Sequence, residues 1–292
     1  MEPNADNPPV IAIVGQTASG KTALAIELAQ RFNGEIIAAD SRTVYRGMDI
    51  GTAKPTLAEL AAVPHHLIDV VNPSEPFNAH QFQQQANAAI KDIAARGHVP
   101  LLVGGTGLYV DAVIFGFQFA SQPVDRAARL DLEQRSVPEL QEMILSRGFS
   151  LSSNERNPRH LVRVLERDGA VPGRQPLRPN TLVLGLQVDR ELLHYKITRR
   201  VQAMIDQGLV EEVRMLAHRY GWQTPALQAP AYKAFRGYIE GTASLEEAAQ
   251  QFVQLDMQYA KRQKTWFKRN HDIHWISKTE EAVDIVTTFL NK

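Results

Sequence analysis

The 292-residue chain contains no cysteine. That excludes a disulfide framework and any Cys-ligated zinc site, and it fits a reducing compartment. Net charge is also missing: 32 Lys and Arg balance 32 Asp and Glu. Long apolar runs do not occur. The most apolar later stretch, Leu101 to Phe117, is glycine-rich and interrupted by Asp111, too short and broken to span a bilayer. The opening residues Met1 to Pro9 lack the basic and apolar regions of a signal peptide. There is no internal repeat and no low-complexity segment. The expectation is a cytoplasmic protein without a membrane segment. Its 44% hydrophobic content permits a sizeable core, arranged as one large domain with an insertion or as two domains.

Overall neutrality hides a segregation of charge. Residues 1–116 carry 7 basic against 11 acidic side chains, whereas 117–180 carry 10 against 8, and all 10 are arginine. Residues 190–270 carry 13 against 8. A polyanionic partner would therefore meet the second half of the chain, unless these are ordinary solvated helix faces.

The strongest motif is Gly15-Gln16-Thr17-Ala18-Ser19-Gly20-Lys21-Thr22, which matches G-x-x-x-x-G-K-[ST]. An apolar strand pattern, Val10–Val14, precedes it, and a helical pattern, Thr22–Phe32, follows. Such a turn aims backbone N–H groups and a helix N-terminus at a phosphate. Lys21 would reach the terminal phosphates, and the Thr22 hydroxyl would hold Mg²⁺. Further strand patterns occur at Glu35–Ala39, Leu67–Val71, Pro100–Val103, Thr181–Val188 and near Asp272–Ile276. Helical patterns cover Ala79–Ala95 and a long stretch from Glu191 to Tyr220. This alternation predicts an α/β fold with a P-loop NTPase-like parallel sheet, carrying functional groups at the carboxyl ends of its strands. Between 117 and 180 the pattern turns to short helices at Ala127–Gln134, Pro138–Arg147 and Pro158–Arg167. This segment reads as a small all-helical domain inserted between core segments 9–116 and 181–292.

A phosphate-loop kinase needs a second acid after an apolar strand to position Mg²⁺. Strand Pro100–Val103 is instead followed by Gly104-Gly105-Thr106-Gly107-Leu108-Tyr109. The missing acid suggests that a diphosphate leaves here, its developing charge stabilised by the loop. Asp40, at the end of Glu35–Ala39, stands where a second substrate would approach and could accept its proton. As a lone residue it reads equally as a cap or a turn.

Together, GQTASGKT, then DSRTVYRGMDIGTAKP from Asp40, HHLID at His65–Asp69, and GGTGLY at Gly104–Tyr109 resemble the bacterial tRNA dimethylallyltransferases, or tRNA isopentenyltransferases. The resemblance continues at Arg159–Glu166, Gly208–Val213 and Tyr259–Phe267, in order along nearly the whole chain. It implies transfer of a dimethylallyl group from dimethylallyl diphosphate to N6 of the adenosine 3′ of the anticodon, in tRNAs reading codons that begin with U. Gly15 and Thr17 to Thr22 would hold the diphosphate, with Mg²⁺ on Thr22, and the catalytic set would be Asp40, Thr106 and Arg200. The enzyme would act as a monomer on the tRNA anticodon stem-loop, gripped by the inserted domain.

The tRNA contacts so implied are Asp40, Ser41, Arg42, Thr43, Thr106, Arg126, Arg159, His160, Leu161, Val162, Arg163, Tyr232 and Lys233. Lys261, Arg262, Gln263, Lys264, Trp266 and Lys268 complete the set. Lys261, Arg262, Lys264, Lys268 and Arg269 interleave with Trp266 and Phe267, which suits phosphates plus stacked bases. A solvated basic helix around a buried Trp266 is the competing reading. Arg159, Arg163 and Arg167 recur every four residues, forming one stripe on a helix. Departures from the family pattern include Gln16 for proline, Thr43 for a frequent Gln, Ala231 and Ala234 around Tyr232-Lys233, and Asp256-Met257-Gln258 for Thr-Arg-Gln. Three other readings remain: a small-molecule kinase, a prenyltransferase acting on free adenine nucleotide, and an RNA-binding module with a dead site.

Overall fold

The computed structural model describes residues 7–119, 126–151, 154–169 and 173–291. The chain forms two compact units, one of residues Gly116–Pro176 and the other of the sequence on either side. The return to the larger unit comes a few residues before the next strand. Arg178 gives its backbone N–H to the Ile114 carbonyl and its guanidinium to the Pro8 carbonyl, both at 2.8 Å.

In the larger unit, β1 (Val10–Gly15) leads into α1 (Lys21–Arg31) and β2 (Gly34–Ala38). After α2 (Leu57–Ala62) come β3 (His65–His66), α3 (Ala79–Ala95), β4 (Val99–Gly104) and α4 (Gly107–Ile114). The smaller unit holds α5 (Arg126–Glu133), α6 (Val137–Ser146) and α7 (Pro158–Glu166). Beyond it lie β5 (Thr181–Leu186), α8 (Arg190–Asp206), α9 (Leu209–Tyr220), α10 (Pro230–Ile239), α11 (Leu245–Phe267), β6 (Ile273–Ile276) and α12 (Thr279–Leu290).

The six strands form one parallel sheet in the order β3-β2-β4-β1-β5-β6. Strand β1 is buried throughout, as its unbroken apolar run requires of a strand covered on both faces. Ile11 and Ile13 face Leu24, Ala25 and Leu28 of α1 together with Ala282, Val283 and Val286 of α12. A second core gathers α8 to α11 around Tyr232, Phe235 and Phe252, against Val44 and Met48 of the segment after β2. The smaller unit packs on Leu132, Leu140, Ile144, Leu161, Val162 and Leu165.

Two sequence expectations fail locally. The strand expected at Leu67–Val71 is absent, because Leu67 and Asp69 adopt positive φ (63° and 56°). Pairing there shrinks to His65–His66 and a single bridge from Tyr45 to Val71. The helix expected over Glu191–Tyr220 breaks at Gly208, whose left-handed conformation (φ 101°) restarts the chain as α9.

Candidate active site

The phosphate loop joins β1 to α1 through left-handed positions that a run of ordinary residues avoids. Ala18 (φ 57°) and Gly20 (φ 101°) turn the chain, and Gly20 caps α1 with no side-chain hydrogen bond, so the first N–H groups face outward. The Lys21 ammonium donates to the Gln16 carbonyl at 2.5 Å. Burial pushes its pKa down to about 8; Asp40 opposes that shift and Arg200 adds to it. Thr22 follows in the exposed first turn of α1.

Asp40 lies just past the end of β2, one of its carboxylate oxygens accepting the Arg42 N–H at 2.8 Å. Thr106, which caps α4, takes the Ser41 N–H on its hydroxyl at 2.9 Å and returns that hydroxyl toward Ser41 Oγ at 3.3 Å. Loops after β2 and β4 are thereby locked together at the carboxyl edge of the sheet. Between them and the phosphate loop opens a cavity of about 500 Å³, lined among others by Lys21, Thr22, Asp40, Gly105, Arg200 and Gln263. Ser19 Oγ, Thr43 Oγ1, His65 Nε2 and Arg200 Nε are buried without a hydrogen-bond partner among the described residues, and all four residues line this cavity. Buried polar atoms left unpaired are costly, so four around one cavity mark a site that expects a polar ligand.

Helix α11 straps this edge from the far end of the chain. Gln263 accepts the Thr17 N–H at 2.7 Å and gives its amide to the Gly105 carbonyl at 3.0 Å, while Gln16 donates to the Ala260 carbonyl at 3.2 Å. A Cβ at Gly105 would overlap the Gln263 amide, and one at Gly107 would overlap the Trp266 indole. Trp266 also donates its indole N–H to Asp111 at 2.9 Å. One nitrogen of Arg200, Nη2, donates to both Thr17 Oγ1 (2.9 Å) and Asp256 Oδ2 (2.5 Å).

The packing places the expected tRNA contacts in different settings. Tyr232 is fully buried, and its hydroxyl donates to Glu212 at 2.8 Å, so it holds the loop over Asp49–Gly51 that the same carboxylate binds. Gln263 is buried and committed to Thr17 and Gly105. Leu161 and Val162 lie in the core of the smaller unit, and Thr43 is buried at the cavity wall. The half-buried Trp266 serves α4 through Asp111 and Gly107. Lys233, Lys261, Arg262, Lys268, Arg159 and Arg163 are exposed, and Ser41, Arg42, His160 and Lys264 are half-buried. The side chain of Arg126 lies outside the described residues.

Two residues of the site were not expected from the sequence. Asp256 is buried, and burial pushes its carboxyl above the usual range against the pull of Arg200. Its position in the buried series Phe252, Asp256, Ala260, Gln263, Phe267 was the available signal: an acid on an otherwise inward helix face. Burial, reinforced by Asp40, pushes the Tyr259 hydroxyl up to about 12, while hydrogen bonding with Thr106 and Gln263 works the other way. It stays protonated at neutral pH, a donor beside Asp40.

In the smaller unit, arginines and acids interleave: Arg129 pairs with Glu133 at 3.0 Å and Glu166 at 3.4 Å, and Glu166 opposes the shift at Arg163. Desolvation and then Arg167, Arg129 and Arg159 hold the Arg163 guanidinium below its usual value. Desolvation, Arg163 and Arg167 likewise depress His160.

The IPP transferase family model matches residues 43–270. A tRNA dimethylallyltransferase of Anoxybacillus flavithermus is 40% identical over 286 residues, covering 94% of this chain and 92% of that protein. One from a Roseiflexus species is 45% identical over 280 residues, covering 89% and 90%. The solved tRNA isopentenylpyrophosphate transferase of Bacillus halodurans has a TM-score of 0.76 at 37% identity, covering 97% of each chain. A eukaryotic dimethylallyltransferase acting on tRNA gives 0.82 at 26% identity, covering 97% of this chain and 79% of that one. A parallel sheet, a phosphate loop at its centre and this sustained similarity lead to one assignment: the chain belongs to the IPP transferase family.

Proposed function

We propose that this protein is a tRNA dimethylallyltransferase. It moves the dimethylallyl group of dimethylallyl diphosphate to N6 of the adenosine 3′ of the anticodon, in tRNAs reading codons that begin with U, and releases diphosphate. The observation that carries the reading is the cavity that joins the phosphate loop to Asp40, walled by unpaired donors and acceptors.

The chemistry follows from the substrates. An exocyclic adenine amine is a weak nucleophile because its lone pair is delocalised into the ring. The allylic C–O bond must therefore ionise substantially as the N–C bond forms, and negative charge grows on the departing diphosphate. The N–H groups at the start of α1, Ser19, Lys21 and Arg200 meet that charge in a partly desolvated site. Asp40 accepts the proton released from N6. Thr106, bonded to Ser41, holds the Asp40 loop in place, and the Tyr259 hydroxyl supports it. The Thr22 hydroxyl suits Mg²⁺, an ion that keeps several waters and leans on phosphate oxygens. When bound, that ion would add positive charge beside the leaving diphosphate.

The arginines of the smaller unit supply the RNA side, since exposed Arg159 and Arg163 can neutralise backbone phosphates and release their counterions. In the larger unit, Lys261, Arg262 and Lys268 are exposed and offer basic side chains to RNA phosphates. No helix among the described residues is long and apolar enough to cross a membrane. The enzyme acts as a cytoplasmic monomer. The test is purified protein with labelled dimethylallyl diphosphate and a choice of tRNA, AMP or ATP. Label should enter tRNA; label entering a free nucleotide instead would overturn the reading.

A further inference from the structure

Among the groups around the cavity, Asp256 has no part in the reaction as described, yet it touches a residue that does. It is a buried carboxylate on α11, 2.5 Å from Arg200 on α8. The same Arg200 nitrogen reaches Thr17 of the phosphate loop, so three distant segments meet at one guanidinium group. Arg200 Nε remains buried without a partner and belongs to the cavity wall. We infer that Asp256 is a positioning residue, anchoring Arg200 on Thr17 so that its remaining donors face the diphosphate.

The physical reason is the flexibility of arginine. A long side chain with several rotatable bonds stabilises a developing charge only where its geometry is set beforehand. Fixing one nitrogen between a carboxylate and a hydroxyl removes most of that freedom. The carboxylate also makes burial of the guanidinium tolerable before diphosphate arrives, because an unpaired buried charge is strongly unfavourable. The pair is mutual: without Arg200, Asp256 would be a buried anion near Asp40.

This inference rests on the proposed prenyl transfer, and its test separates the two. The proteins are wild type, D256A, D256N, R200A and the double variant R200A/D256A. Transfer, affinity for inorganic pyrophosphate and thermal unfolding are measured on each. D256A should lower kcat roughly tenfold while pyrophosphate Kd moves less than about threefold, because lost anchoring and lost repulsion oppose each other in the ground state. D256N, which still accepts the hydrogen bond, should recover most of the rate. In the R200A background D256A should change kcat by less than about twofold, and it should raise Tm above that of R200A alone. An equal cost of D256A with and without Arg200 would overturn the positioning role, as would a D256N enzyme as slow as D256A. Failure of wild type to modify tRNA would overturn the transfer reading, while the unfolding cycle would still decide whether the two residues are coupled.

Discussion

The side-chain oxygen of Gln263 receives the backbone N–H of Thr17 at 2.7 Å, across 246 residues of sequence. A phosphate loop is ordinarily described as a self-contained turn. Here one of its N–H groups is spoken for by a glutamine on a helix near the end of the chain, and the same glutamine holds Gly105.

Replacing Gln263 by leucine should therefore disturb two loops at once. It leaves the Thr17 N–H and the Gly105 carbonyl without their partner in a buried setting. The expected loss is roughly 1–3 kcal/mol of folding stability, read by urea unfolding, together with weaker diphosphate binding. A stable variant with unchanged diphosphate affinity would show that the strap is dispensable.

Lys21→Ala should cost several kcal/mol of transition-state stabilisation while leaving tRNA affinity nearly unchanged, as measured by kcat and by tRNA titration. Its pH behaviour carries a sign. With a pKa of about 8 in the free protein, Lys21 loses its charge as pH rises through 8. A bound diphosphate stabilises the ammonium, so binding should weaken above pH 8 with uptake of a proton, measurable by calorimetry in two buffers of different ionisation enthalpy. The alanine variant should lack both the proton uptake and that alkaline limb.

Asp40→Asn keeps the size of the side chain and an acceptor for the Arg42 N–H but removes the base. Turnover should fall by roughly two to four orders of magnitude, with tRNA Kd little changed. A fast Asn variant would reassign the proton to water and leave Asp40 the role of orienting the base.

Charge reversal at Arg159 and Arg163 should weaken tRNA binding and flatten its salt dependence, since each lost phosphate contact releases fewer counterions. Dimethylallyl diphosphate binding should not move. Normal tRNA affinity at every salt concentration would remove the smaller unit from RNA recognition.

Away from the site, Glu35 sets an acid limit on stability. This buried carboxylate pairs with Arg96 and accepts from His66 at 2.7 Å, and these partners hold its pKa at about 2. A lowered carboxylate pKa means the unfolded chain takes up the proton first. The stabilisation, roughly 3 kcal/mol, is complete above about pH 5 and lost as pH falls toward 2. Denaturant midpoints between pH 2 and 6 should show this slope, and Glu35→Gln should reduce it.

What the sequence determined by itself was local. The phosphate loop and the strands beside it are legible because glycine placement and apolar periodicity are short-range requirements. Ala79–Ala95 was readable to the residue, while its cap, Asn78, came from the structure. The strand expected at Leu67–Val71 failed because a β-like composition does not reveal two left-handed residues. Asp40 stood out by its place at the end of a strand, although a lone Asp reads equally as a cap or a turn; Thr106 and Arg200 were named only through resemblance to a family, since alone they read as turn chemistry and an exposed charge.

Tertiary structure alone decided which polar side chains turn inward. Gln263, within a basic stretch, and Tyr232, beside Lys233, were expected as tRNA contacts, yet both are buried, because α10 and α11 pack their inward faces on the segments after β1, β2 and β4. Asp256 joined the site for the same reason. Burial of a polar group depends on a partner brought in by packing, 20 residues away for Tyr232, 56 for Asp256 and 246 for Gln263, and no local pattern encodes that arrival.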